Sequence, residues 1–85
     1  MTYAVLVSSQ AARDLRALDA ATRRRIQGKI EELATDPFPP GRKKLKGQTG
    51  DVWRIRVGDF RVLYDVEQTS VTVLVLRVRN RKNAY

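Results

Sequence analysis

Apolar positions change their spacing along the chain, and each change marks an element. Residues 3–7 (YAVLV) form a short run of β-branched and aromatic side chains closed by Ser8 and Ser9, too short for a helix and read as a strand. From Ser9 onward Ala11, Leu15 and Leu18 recur at i, i+4 and i+7, which is one face of a helix, with Ser8 or Ser9 placed to cap its N-terminus. Asp19 is placed to cap a second helix whose stripe is Ile26, Ile30, Leu33 and Ala34. That helix should end at Asp36-Pro37, because the residue before proline is pushed out of the helical region. The two helices are expected to form an antiparallel hairpin.

Residues 37–41 (PFPPG) are a stiff connector, and residues 42–47 (RKKLKG) a basic lead-in. After it the period is two. Residues 52–57, 60–66 and 71–79 are rich in β-branched and aromatic residues and read as three strands, joined by Gly58-Asp59 and by residues 67–70. The expectation is an α+β domain: an N-terminal strand and a two-helix hairpin packed on an antiparallel sheet that ends in a three-stranded meander, with the first strand joining the sheet. At 85 residues the chain supports one domain spanning 1–85. A domain this small builds a single core, so function is expected on its surface.

Cysteine and histidine are both absent. Thiol nucleophiles, disulfides, zinc sites built on those residues and imidazole bases are therefore excluded, and no cofactor is implied. No stretch approaches the roughly 20 apolar residues that cross a bilayer, so a soluble cytoplasmic protein is expected, with no membrane partner. Charge is distributed unevenly. Residues 1–41 hold six basic against five acidic side chains (+1), and residues 42–85 hold eleven against four (+7). A polyanion, either nucleic acid or an acidic protein segment, is the expected partner of the second half.

Gly58-Asp59 is a two-residue hairpin signal, which sets Val57 opposite Phe60, Arg56 opposite Arg61, Ile55 opposite Val62 and Arg54 opposite Leu63. Two cations facing each other in a non-hydrogen-bonded pair, with Cα atoms only ~4.5 Å apart, destabilise a sheet. An anion held between them would reverse the sign, and Arg54 adds a third guanidinium on the same face. A solvated face with splayed arginines is the competing reading. Trp53 alternates with these arginines and is expected to point into the core. With Val66 set opposite Val71, Arg77 and Arg79 fall on the face opposite Arg61, and Arg81 joins the cluster only if the last strand ends or bulges near Arg79. Arg77 reads at least as readily as a solvated or acid-paired side chain as it does as a functional one. Arg23, Arg24 and Arg25 oppose the helix macrodipole, and are either plain surface or auxiliary contacts to RNA or the ribosome. Lys43, Lys44 and Lys46 either grip phosphate or guard a sheet edge.

The chain has no carboxylate pair at defined spacing, no Ser/His/Asp set and no Walker-type loop. RNA, however, carries its own nucleophile in the 2′-OH. Its cleavage needs in-line geometry, charge stabilisation of the phosphorane and proton transfer, and a guanidinium cluster supplies the second without a metal.

The segments KKLKG (43–47), WRIRVGDFRVLYDV (53–66) and VLVLRVRNRKNAY (73–85), following a strand and a helical hairpin, resemble the RelE/ParE superfamily of bacterial toxins, and its RelE branch above all. The resemblance implies a toxin that enters the ribosomal A site near 16S rRNA, cuts mRNA there, and is neutralised by a RelB-type antitoxin. It places the family's catalytic residues on Arg54, Arg56, Arg61, Arg81 and Tyr85; Arg23, Arg24, Arg25, Lys43, Lys44, Lys46, Arg79 and Lys82 are candidate contacts to RNA or ribosome on their charge. The implied reaction is attack of the 2′-OH on the adjacent phosphate, leaving a 2′,3′-cyclic phosphate and a 5′-OH. A ParE-like inhibitor of DNA gyrase without enzymatic activity is the alternative within the superfamily, and an RNA-binding module without catalysis is a third reading.

Overall fold

The structure is a computed structural model that describes residues 2–45 and 52–80. Its elements are β1 (Ala4–Val7), α1 (Ser9–Arg16), α2 (Ala20–Thr35), β2 (Lys43–Lys44), β3 (Val52–Val57), β4 (Phe60–Glu67) and β5 (Thr72–Asn80). They build one five-stranded sheet in the order β1-β5-β4-β3-β2. The meander and the N-terminal strand are those expected. β1 joins beside β5 in parallel, with Val5 opposite Val73 and Val7 opposite Val75, so the sheet is mixed. Lys43 and Lys44, read as a lead-in, form a short edge strand opposite Arg54 and Trp53.

Local chemistry sets the helix ends. Ser8 Oγ accepts the Ala11 amide at 3.0 Å at the start of α1, and an Asp19 carboxylate oxygen accepts the Thr22 amide at 3.1 Å at the start of α2. α2 stops at Thr35, with Asp36 in extended conformation before Pro37. Ala11 and Leu15 of α1, with Ile26, Ile30 and Leu33 of α2, bury against Ile55, Val57, Val62, Tyr64, Val73, Val75 and Val78 of the sheet. Strand alternation then leaves Arg54, Arg56, Arg61 and Leu63 on the reverse face. Among the described residues no helix is long and apolar enough to cross a membrane.

The β4–β5 register departs from the one expected. Val66 lies opposite Val73, because the Glu67 carboxylate accepts the Thr69 amide at 3.2 Å and Val71 takes a left-handed φ of 52° inside the loop. Val71 therefore belongs to the turn. A second shift follows between Leu63 and Tyr64, where Leu76 of β5 is left without an opposite residue. Ser8 accounts for this bulge: its amide donates to the Val75 carbonyl at 2.9 Å and its hydroxyl to the Leu76 carbonyl at 2.8 Å. Two successive carbonyls turned to the same side break strict alternation. Consequently Arg77 lies opposite Leu63 and Arg79 opposite Arg61, which corrects the expectation that both fall on the other face.

Candidate phosphate-binding site

The hairpin at Gly58-Asp59 pairs Arg56 with Arg61 as its two-residue turn requires, with Gly58 at φ 59°. The bulge adds Arg79 on the far side of Arg61. Arg56, Arg61 and Arg79 thus form a row across three adjacent strands, each step roughly 4.8 Å along the hydrogen-bonding direction. Arg56 is exposed, and Arg61 and Arg79 are half-buried. Arg54 lies two residues from Arg56 on the same face but is buried at 7% exposure, where Arg56 is exposed. Three like charges in register oppose sheet stability, and an anion laid along them would relieve that cost.

Arg77 is set apart from the row by a partner. Its Nε and Nη2 donate to the two carboxylate oxygens of Asp14 at 2.9 and 3.2 Å, and the Val78 amide donates to the same carboxylate at 2.9 Å. Burial pushes the Asp14 carboxyl up, but these hydrogen bonds and the charges of Arg77 and Arg79 outweigh it and hold Asp14 below the ordinary carboxylate value. Hydrogen bonding to Asp14 raises the Arg77 pKa in turn. The acid-paired form of the surface reading is what is found for Arg77.

The arginine triplet divides by task. Arg23 Nη1 donates to the Leu18 carbonyl at 3.2 Å and closes the turn between the helices. Arg24 is exposed. Arg25 reaches the β3–β4 turn, where its Nη1 lies 3.1 Å from the place a side chain on Gly58 would take. The cationic end of α2 therefore sits over the hairpin tip that carries Arg56 and Arg61. Lys43 and Lys44 are exposed on β2. Lys46, Arg81, Lys82 and Tyr85 lie outside the described residues.

Trp53 is half-buried on the core side, as expected, in edge-on contact with Phe38 at 5.9 Å between ring centroids. Arg42, which the sequence did not single out, caps both rings at 5.1 Å from Trp53 and 5.4 Å from Phe38. Also unforeseen are two clefts beside Arg56. One, of about 560 Å³, lies between the C-terminal half of α2, Pro39-Pro40 and Ile55-Arg56. The other, of about 300 Å³, shares Pro40, Ile55 and Arg56 with it and continues to Lys43 and Arg54. A signal for the first was present in the sequence: Glu31, Glu32 and Asp36 crowd the end of a helix that has no basic residue in its last turn, the reverse of what the macrodipole favours.

An α+β fold with a basic row on the sheet face opposite the core defines a class that can be compared with known proteins. The family model for the ParE toxin of type II toxin-antitoxin systems, parDE, matches residues 5–85. The putative toxin RelE1 of Methanocaldococcus jannaschii is 31% identical over 88 residues, covering 100% of this chain and 97% of its own. Toxin RelG of Mycobacterium tuberculosis is 30% identical over 89 residues, covering 100% and 98%. The archaeal RelE-RelB complex from Pyrococcus horikoshii contains a chain that superposes with a TM-score of 0.83 at 32% identity, covering 99% of this chain and 100% of that one. The chain belongs to the RelE/ParE toxin family, and within it is a RelE-family toxin of a type II toxin-antitoxin system.

Proposed function

We propose that this toxin is a metal-independent endoribonuclease that cleaves mRNA in the ribosomal A site. The observation that carries the reading is the Arg56–Arg61–Arg79 row, three guanidinium side chains in register across adjacent strands, whose charge and spacing suit an RNA phosphate. In the reaction the 2′-oxygen attacks the adjacent phosphorus and loses its proton, the bond from phosphorus to the 5′-oxygen breaks, and that oxygen takes up a proton. The products are a 2′,3′-cyclic phosphate and a 5′-OH. Charge gathers on the non-bridging oxygens of the phosphorane, and guanidinium groups of the row stabilise it there. A guanidinium group is a poor general base, so the row acts by charge and position. Arg81 and Tyr85 complete the set in this reading, and Arg24, Arg25, Lys43, Lys44, Lys46 and Lys82 supply auxiliary contacts to 16S rRNA.

The relative from Pyrococcus horikoshii forms a complex with RelB. A RelB-type antitoxin with an acidic segment, disordered when free, is the corresponding partner here, covering the basic face and binding less tightly as salt rises. The family model is that of ParE toxins, and this favours a second reading, gyrase inhibition without catalysis. Purified toxin incubated with programmed ribosomes in excess EDTA, at a polyamine concentration that keeps them intact, should cut mRNA in the A site and leave cyclic phosphate ends. Absence of cutting, with inhibition of gyrase supercoiling in a parallel assay, selects the second reading.

A further inference from the structure

β2 pairs with β3 only as far as Arg54, so among the described residues the outer edge of β3 has no neighbouring strand from Ile55 to Val57. In a two-residue hairpin the residues flanking the turn, Val57 and Phe60, form the hydrogen-bonded pair, and alternation makes Arg56 and Arg61 the non-hydrogen-bonded one. The main-chain N–H and C=O of Arg56 therefore point away from β4, toward the edge where the two clefts meet. Leu45 donating to the Val52 carbonyl at 2.9 Å, four residues earlier on the same edge, has the same parity. The open edge is about 10 Å long, too short for a partner strand to add along it. The larger cleft has the volume of a small-molecule site.

Its lining carries both signs of charge, Lys29 and Arg56 together with Glu32 and Asp36. Lys29 and Glu32 pair at 3.5 Å with side chains 53% and 69% exposed, a contact that a ligand exchanges at little cost. Asp36 uses one carboxylate oxygen for the Phe38 amide at 3.0 Å. The acceptors gather at the negative end of α2, where they weaken the helix and enrich the cleft in places for hydrogen-bond donors.

We propose that this cleft receives a nucleobase of the RNA whose phosphate lies on the arginine row, and that Glu32 and Asp36 read its exocyclic amino group. The inference rests on the proposed RNA substrate. Adenine, cytosine and guanine each carry such an amino group. Uracil instead flanks its one N–H with two carbonyl oxygens, which the carboxylates repel. The Arg56 peptide offers one donor and one acceptor to the same edge, and its side chain joins the base pocket to the phosphate row. Glu32 and Asp36 are thus specificity-determining residues.

The test is direct binding, without ribosomes. Isotope-labelled toxin is titrated with AMP, CMP, GMP and UMP while amide resonances are followed by NMR. The three amino-bearing nucleotides should shift the Arg56, Glu32 and Asp36 amides and bind at least fivefold more tightly than UMP. In the Glu32→Gln/Asp36→Asn variant that preference should fall to within twofold. A second variant, Thr35→Arg, puts a good helix former at an exposed position on the cleft rim and should abolish the preference while inorganic phosphate still shifts Arg61. Equal affinity for all four nucleotides, or shifts reproduced in full by inorganic phosphate, would overturn the proposal. Preference for the amino-bearing bases in a toxin that cuts no mRNA would instead count against the enzymatic reading alone.

Discussion

Tyr64 ties the connector to the core. Its hydroxyl donates to the Pro37 carbonyl at 2.8 Å, and the side chain is fully buried. Burial pushes its pKa to about 12 from 10.0, opposed by the charge of Arg42 and helped by that of Asp36. A pKa raised on folding contributes stability that is complete below the unfolded value and is lost as pH rises through the folded one. The protein should therefore lose stability between pH 10 and about 12, and Tyr64→Phe should remove that part of the slope. At neutral pH the same variant leaves the Pro37 carbonyl unsatisfied and should lower the unfolding free energy by about 1–2 kcal/mol, measurable by urea titration. An unchanged neutral stability would contradict the role given to this bond. Single residues were readable from sequence where a local rule governs them: Arg56 opposite Arg61 follows from the length of the turn, and Trp53 facing inward from alternation. Depth was not readable. Alternation assigns Arg54 to a face but cannot say that it is buried there.

Among the elements, β5 departs furthest from expectation. The bulge at Leu76 depends on Ser8, far away in sequence, and no pattern within the strand announces it. Sequence period located the strand and its length within a residue at each end, yet inverted the face of Arg77 and Arg79. Downstream of the bulge α1 takes over from β1 as the neighbour of β5, through the bonds from Arg77 and Val78 to Asp14. Asp14→Ala should cost about 2–3 kcal/mol, since it strands a guanidinium and an edge amide together. The Asp14 pKa is lowered on folding from 3.8, so its contribution is complete above that value and is lost as pH falls below it through the native one. Wild type should therefore weaken more steeply than the variant below pH 4, a difference that thermal melts across pH 2–6 would show. Parallel pH profiles would exclude the carboxylate as the lock. The helices, whose caps and stripes are local, were readable almost to the residue.

At the scale of the molecule, the charge asymmetry of the sequence becomes a geometric one. The basic second half folds into strands whose reverse face carries Arg56, Arg61 and Arg79 in one row, and α2 turns its cationic end onto the hairpin tip at Gly58. The α+β architecture could be read from the order of periods, but the width of the row could not, because it needs both the hairpin turn and the bulge. Under the proposed function, a sheet that sets three arginines in register gives up stability locally to hold a phosphate. Arg61 sits at the centre of the row and faces a cation on either side. Replacing it by leucine removes both oppositions. The most direct measurement is therefore the urea midpoint of Arg61→Leu together with its ribosome-dependent mRNA cleavage. The account predicts a stability gain of about 0.5–1 kcal/mol with cleavage reduced at least ~100-fold. A variant that is less stable than wild type and still cuts mRNA at the wild-type rate would contradict it.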